Sequence, residues 1–368
     1  MHHSMKMLLA AFAALPFVTS RATAGTIDGK PIVETTNLSN GHVLDWVMQD
    51  EVAPPSDKPD LLKGLFTPLN GPKGAVPYLR QSTPSNGVEK KSPSQGTAKR
   101  ATIPDGHKYA LTGQSVANLG GGATFSLYDP YLESTSDMSL IQTAISSNFV
   151  QNSYFGKIQQ TVEAGWQKYP LLNPPTAHFF CFYTATGYHS VGDYQGGYNR
   201  EVAGWTQVDT DIYPGHEFRP FSVDGGAQND INLEYHLTDG KWWLSVGGRD
   251  IGYYPASLFT QNVTSSTSLA TGADKITFYG EMYSDKSQTT SDMGSGEFPS
   301  AGKNKAAYIR NMVYTSANDG TTYNYEANLQ DIITDPYSYN LEAHYNAGAP
   351  WNSYMLVGGP GYGGNIGS

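Results

Sequence analysis

Two glutamates, Glu163 and Glu281, stand on the polar side of two strand-like stretches of the sequence. In "KIQQTVEAGW" (157–166) and "KITFYGEMYS" (275–284), apolar and polar residues alternate, as in a strand with one face toward a core. Two carboxyl groups that meet in one cleft can act as a general acid and a general base. Ordinary outward-facing strand glutamates give the same pattern, so spacing alone leaves both interpretations open.

Three further residues are candidates for binding the substrate near such a pair. Tyr279 lies two positions before Glu281, where it could position that carboxyl or stack on a substrate ring, or could simply pack on the sheet. Gln142 and Gln159 could orient a water molecule or an oxyanion, although ordinary strand polarity explains both equally well.

Other catalytic patterns are missing from the sequence. The 9 histidines show no HExxH or similar metal-ligand spacing, and no GxSxG or GxGxxG motif follows a strand. We therefore expect no metal and no cofactor. The single Cys181 excludes an intramolecular disulfide, and its apolar surroundings in "AHFFCFYTA" predict a buried thiol rather than a nucleophile.

The elements that must position these residues are short strands between turn signals. Asp239-Gly240 in "INLEYHLTDGKWWLSVGG" (231–248) predicts a two-residue type I′ hairpin turn. A short helical turn is predicted near 255–259. The other strand candidates are 108–117, 121–128, 138–146, 156–167, 177–185, 201–209, 275–284 and 305–315. Many strands without crossover helices predict an all-β fold of antiparallel sheets packed face to face.

The first hundred residues differ in composition from the rest of the chain. Residues 1–24 have the charged start, the apolar run and the small-x-small end of a secretory signal peptide, so we expect a secreted protein. Residues 25–104 carry a little apolar pattern followed by a linker rich in Pro, Ser, Gly and Lys over 66–104. Composition alone fits an interdomain tether and a pro-segment equally well. Residues 105–368 form the main predicted domain.

Charge excludes some partners. A formal net charge of -10 and a sequence pI near 5.3 argue against nucleic acid or an anionic membrane as the main partner. We expect a monomer that acts outside the cell.

Several short sequence motifs resemble those of the neprosin domain and occur in the same order as in that family. They cover nearly all of 105–361: "HKYALTGQ", "GGATFSLYDP", "VEAGWQ", "DGKWWLSVGGRDIGYYPASLF", "FYGEMYS", "MGSGEFPSAGKNKAAYIRN" and "VGGPG". The stretch "GHVLDWVMQDEVAPPSDKPDLL" (41–62) is similar, more faintly, to the activation peptide of that family. The resemblance favours a pro-segment with its linker for 25–104.

The resemblance implies a glutamic endopeptidase that cleaves after proline at acidic pH and takes protein or peptide substrates, with proline-rich ones expected. It implies two strongly bent antiparallel sheets in a β-sandwich, with an active-site cleft. The family's "EAGW" glutamate corresponds to Glu163, and its second glutamate corresponds to Glu281 in "YGE". One would be ionised to activate water and the other protonated, sharing a proton over an acidic range; the sequence leaves open which is which.

Two rival functions remain open at this stage. A glycoside hydrolase would also use a carboxylate pair in a cleft rich in Tyr and Trp. A non-catalytic carbohydrate-binding β-sandwich would use the aromatic rings alone, and the two glutamates would be incidental.

Overall fold

The structure, a computed structural model, describes residues 18–21, 25–52, 62, 64–80, 106–171, 176–188, 196–200 and 203–363. Most of the predicted signal peptide, and the stretch 81–105 that contains most of the predicted linker, lie outside the described residues. The division into signal peptide, pro-segment and catalytic domain stays a prediction.

Among the described residues the fold is almost entirely β, with every ladder antiparallel. The only helices there are two 3₁₀ turns, Ala256–Thr260 and Pro299–Ala301, and neither is long enough to cross a bilayer. The strands are β1 (Val18–Arg21), β2 (Thr26–Ile27), β3 (Lys30–Asn37), β4 (Val43–Met48), β5 (Ala75–Leu79), β6 (His107–Ser126), β7 (Met138–Asn152), β8 (Gly156–Lys168), β9 (His178–Thr184), β10 (Gly196–Tyr198), β11 (Thr206–Gln207), β12 (Asp230–Thr238), β13 (Lys241–Val246), β14 (Arg249–Pro255), β15 (Ala273–Tyr283), β16 (Ala307–Ser316), β17 (Thr322–Asn324), β18 (Ile332–Ile333), β19 (Asn340–His344) and β20 (Tyr354–Gly358).

Two strongly curved layers share the long strand β6. Its first half pairs with β15, in the order β10-β9-β8-β7-β15-β6, and its second half pairs with β12 and β16. We call the layer that contains β7, β8 and β15 the front sheet, and the layer that contains β12, β13 and β16 the back sheet. The predicted all-β sandwich of bent antiparallel sheets is confirmed.

Three glycines let β6 pass from one sheet to the other. The sequence predicted two strands, 108–117 and 121–128, separated at 118–120, but the structure has one continuous strand that runs through Gly120, Gly121 and Gly122. A Cβ on Gly121 would lie 2.3 Å from Val313 O, and one on Gly122 would lie 2.2 Å from Leu233 O. Only glycine therefore allows β12 and β16 to approach β6 so closely at the bend.

The main apolar core lies between the two sheets. Ile145, Val162 and Phe278 of the front sheet belong to the same buried cluster as Leu233 and Leu244 of the back sheet. The opposite face of the front sheet carries a second buried cluster, rich in aromatic rings, and the two glutamates lie on this face. We call it the cleft face.

Local predictions about turns and the thiol are confirmed. The turn residue Asp239 has φ 51° and Gly240 has φ 70°, as a type I′ turn requires. Cys181 is fully buried, where burial raises the pKa of its thiol to about 12. The strand expected at 201–209 is reduced to Thr206–Gln207, and residues 201–202 lie outside the described part.

A small N-terminal sheet packs against the larger unit. Strands β3, β4 and β5 form it together with β1 and β2, and β5 falls within the stretch 66–104 that composition marked as a linker. Trp46 and Ala75 form a buried cluster with Tyr213 of the larger unit. Arg200 pairs with Asp28 at 2.7 Å. The N-terminal sheet thus buries its apolar side by using the main unit, as its small size predicts.

Candidate active site

Five neighbouring strands, β9, β8, β7, β15 and β6, build the cleft face. Strand β7 lies at its centre, where Gln142 is opposite Gly165 of β8 on one side and Tyr279 of β15 on the other. Glu163 pairs with Ala144, and Glu281 pairs with Leu140. Because side chains alternate along a strand, all of these positions point to one side of the sheet.

Glu163 is enclosed by neutral hydrogen-bond donors. Its Oε1 accepts from Thr161 Oγ1 at 2.7 Å and from the Tyr188 hydroxyl at 2.6 Å. Its Oε2 accepts from Gln142 Nε2 at 2.5 Å and from the Tyr279 hydroxyl at 3.2 Å. The side chain is fully buried, so these donors replace the water that a carboxyl group would otherwise bind.

Only one oxygen of the Glu281 carboxyl has hydrogen-bond partners among the described residues. Its Oε1 accepts from His107 Nδ1 at 2.7 Å and from the Tyr109 hydroxyl at 3.2 Å. Its Oε2 is buried and has no hydrogen-bond partner among the described residues. A buried carboxyl oxygen without a donor is costly, and such an exception calls for an explanation such as a catalytic role or a bound water.

Two tyrosines occupy the space between the carboxyl groups. The rings of Tyr109 and Tyr279 meet edge to face with centroids 6.2 Å apart. Burial, and next the nearby glutamates, raise the pKa of Tyr109 and of Tyr279 well above the usual value. Both hydroxyls therefore stay protonated and act as fixed donors throughout the acidic and neutral range.

The two carboxyl groups do not hydrogen-bond to each other. Glu163 and Glu281 lie on either side of β7, four residues apart in register along it, and the described partners of Glu281 are His107 and Tyr109. The sharing of a proton over an acidic pH range stays a prediction. The geometry suits two carboxyls that act on opposite sides of a molecule bound between them.

The predicted site residues fall into two groups. Gln142 and Tyr279 contact Glu163 directly, and Tyr279 donates to Glu163 rather than to Glu281, its neighbour in sequence. Gln159 is half-buried on β8, four positions before Glu163, and Thr161 between them makes the bond to that carboxyl.

The residues that sequence reasoning missed are His107, Tyr109 and Tyr188. A signal for the first two was present in "HKYALT", because a two-residue spacing on a strand puts both side chains on one face. Tyr188 comes from the loop after β9 and stacks on Phe182 at 5.9 Å between ring centroids, a contact that no spacing in the sequence indicates.

No group of three or more His, Cys, Asp or Glu side chains that could hold a metal ion occurs within the described ranges. His107, which lies at Glu281 on the cleft face, bonds to a carboxyl oxygen instead.

The sequence profile of the neprosin family matches residues 135–360, more than half of the 368 residues and including both glutamates. The chain belongs to the neprosin family. This match confirms the resemblance seen in the short sequence motifs. Membership of the neprosin family supports a peptidase of the glutamic type that acts on proteins or peptides.

Among solved structures, two similar chains are peptidases. Scytalido-glutamic peptidase with a peptide-based transition-state analogue has 10% identity and a TM-score of 0.33, over 70% of this chain and 100% of that chain. SCP-B, a member of the eqolisin family in complex with the tripeptide Ala-Ile-His, has 10% identity and a TM-score of 0.32 over the same shares. Both likenesses are loose.

Proposed function

We propose that this chain is a secreted, acid-active glutamic endopeptidase that hydrolyses peptide bonds after proline, as a monomer and without metal or cofactor. The observation that carries the proposal is the pair of fully buried glutamates on one sheet face, of which Glu281 keeps one oxygen without a partner. Family membership favours this function over the glycoside hydrolase and the carbohydrate-binding module.

Glu281 is the proposed base. His107 and Tyr109 hold Oε1 in place, so Oε2 is the atom available to a water molecule. Oε2 takes one proton from this water, and the water oxygen attacks the carbonyl carbon of the substrate. A positioned carboxylate of this kind typically contributes about 10²–10⁴-fold in rate.

Glu163 is the proposed acid. In its protonated form, in which Oε1–H donates to the Thr161 or Tyr188 hydroxyl instead of accepting from it, Glu163 gives its proton to the leaving nitrogen as the carbon–nitrogen bond breaks. Solvent exchange then returns both carboxyls to their starting states. The Gln142 amide and the Tyr279 hydroxyl, which both point at Glu163 Oε2, can donate to the oxyanion that forms beside it.

The function is tested by digesting a mixture of denatured proteins at several pH values and identifying every new end. We expect fragments that end in proline, with a rate that is highest in acid and falls toward neutral pH. Fragments without a proline preference would contradict the specificity alone. No cleavage at any pH, with release of sugars from a polysaccharide panel, would replace the peptidase by a glycosidase.

The full chain is proposed to be an inactive precursor, with 25–104 as the segment that is removed. Both catalytic carboxyls are completely buried in this chain, which fits a form that substrates do not enter. The basic pairs at 90–91 and 99–100 offer cleavage points, and a new start between residues 85 and 107 is expected.

Acid is expected to loosen the N-terminal sheet. Phe66 packs on the ring of His216 at 4.8 Å, and burial lowers the pKa of His216 to about 3. His216 is neutral in the packed state but binds a proton near the ordinary imidazole pKa of about 6.5 once it is released. Stability of the packed state therefore falls as the pH drops from about 6.5 toward 3.

N-terminal sequencing of chain incubated across this pH range checks the expectation. Shortening and activity should appear together, and His216→Phe, which cannot bind a proton, should need a lower pH for both. A chain that is fully active while unprocessed would overturn the precursor proposal.

A further inference from the structure

A lysine on the cleft face has no hydrogen-bond or ion-pair partner among the described residues. Lys275 is two positions before Thr277 and four before Tyr279 on β15, so alternation directs it to the same side as both glutamates. It pairs with Ser146 of β7 and with Ser115 of β6. It thus occupies one end of the face that carries the proposed catalytic groups.

The ammonium group of Lys275 has neither an ion pair nor a hydrogen bond within the described part of the chain, although only 6% of the residue is exposed. Burial lowers the pKa of this ammonium to about 8, which the neighbouring Asp274 partly offsets. Asp274 itself accepts hydrogen bonds from Asn148. A nearly buried cation without a counter-ion is costly, and the cost is recovered when an anion binds beside it.

Lys275 lies within reach of a substrate residue a few positions from the proposed scissile bond. Thr161 of β8 pairs with Ser146, so Lys275 lies level with Thr161, two residues beyond Glu163 and on the side away from Glu281. Two strand residues correspond to about 7 Å along the sheet. A peptide bound between the glutamates advances by about 3.3 Å per residue, so its second to fourth residue on that side reaches this end of the face.

We propose that Lys275 is a specificity-determining residue that binds a carboxylate of the substrate, the side chain of a Glu or Asp two to four residues from the scissile bond on the Glu163 side. The proposal rests on the peptidase function proposed above and extends it to a substrate class: proline-containing peptides with an acidic residue at a fixed distance. The ionised Glu281 on the same face would repel such a residue, and Lys275 supplies the positive charge that offsets this repulsion.

Two sets of matched peptides test this. Each peptide has one proline and carries a fluorophore at one end and a quencher at the other. A single Glu is moved through the four positions on either side of the proline, and each Glu peptide is paired with one that has Gln at the same position. The assay uses acid-treated chain at about pH 5.5, where the peptide Glu, with an ordinary pKa of about 4.3, is ionised. We expect one position on one side at which Glu raises kcat/KM about tenfold or more over Gln.

Variants at position 275 complete the test. Lys275→Met and Lys275→Gln should abolish the Glu preference at that position and leave the rate on the Gln peptide within about twofold. Lys303→Met, at an exposed lysine that lies over the rings of Trp351 and Tyr354, should keep the preference. Removal of an unpaired buried charge is expected to leave folding intact or improve it, which thermal unfolding of each variant verifies.

The outcomes separate the two proposals. Equal rates on all Glu and Gln pairs, or a Glu preference that survives in Lys275→Met, would overturn the role of Lys275 and leave the peptidase standing. Failure of the acid-treated chain to cleave either kind of peptide would contradict the peptidase function, and the substrate class would fall with it.

Discussion

Glu281→Gln is expected to fold normally and to lose peptidase activity by about 10³-fold or more, and Glu163→Gln is expected to behave in the same way. An amide at 281 has nearly the shape of the carboxyl but takes no proton from water, so the base is lost. An amide at 163 keeps its contacts with Gln142 and Tyr279 but has no proton to give the leaving nitrogen. Rates on a proline-containing peptide, measured from pH 3 to 7, check both.

The control is a third glutamate. Glu297 is also buried, with 5% exposure, but lies in the loop after β15 near Lys305 and Asp224 and away from the cleft face. Glu297→Gln should retain activity close to that of the unchanged chain. If both cleft variants hydrolyse the peptide at the unchanged rate, the two-glutamate mechanism is wrong, whatever the family of the protein.

Gly165→Ala is expected to destabilise the fold by several kcal/mol. Gly165 pairs with Gln142 at the centre of the cleft face, where a Cβ would lie 2.1 Å from Ile141 O and 2.7 Å from Gln142 Cα. Since both contacts are with backbone atoms, which cannot move aside as a flexible side chain can, β7 and β8 must separate to admit the methyl group. Overpacking of this kind typically costs about 1–3 kcal/mol and the lost ladder bonds add to it.

Thermal and urea unfolding measure this loss, with Gly240→Ala as the comparison. Gly240 has φ 70° but no atom within 4 Å of its added Cβ, so that variant reports backbone strain alone, about 1 kcal/mol. A Gly165→Ala protein as stable as Gly240→Ala would show that β7 and β8 have room to adjust. Its activity should then also be nearly normal.

Alternation was sufficient to predict much of the fold. Period-2 patterns placed Glu163 and Glu281 on the face opposite to the apolar residues, because successive strand side chains point to opposite sides whatever the tertiary context. The same local rule predicted the Asp239-Gly240 turn, which the backbone angles confirm. The resemblance of short motifs to the neprosin family then implied the two-sheet architecture.

Local reasoning failed where neighbours decide the outcome. Residues 118–120 were left between two predicted strands, yet β6 continues through them and changes sheets at the glycines 120–122. The approach of two other strands, which glycine permits there, is invisible in the sequence of β6. Gln142 and Gln159 looked alike on polarity, and only the register of β7 against β8 and β15 puts Gln142 on Glu163.

The sequence by itself determined that the chain is a β-rich member of the neprosin family with two glutamates on polar strand faces. Only the tertiary structure decided that these faces form one buried surface, that His107 and Tyr109 hold Glu281 while Glu281 Oε2 stays without a partner, and that the two carboxyls do not touch. The physical reason is that hydrogen bonds between side chains 174 residues apart depend on strand order and register, which the whole sheet sets at once.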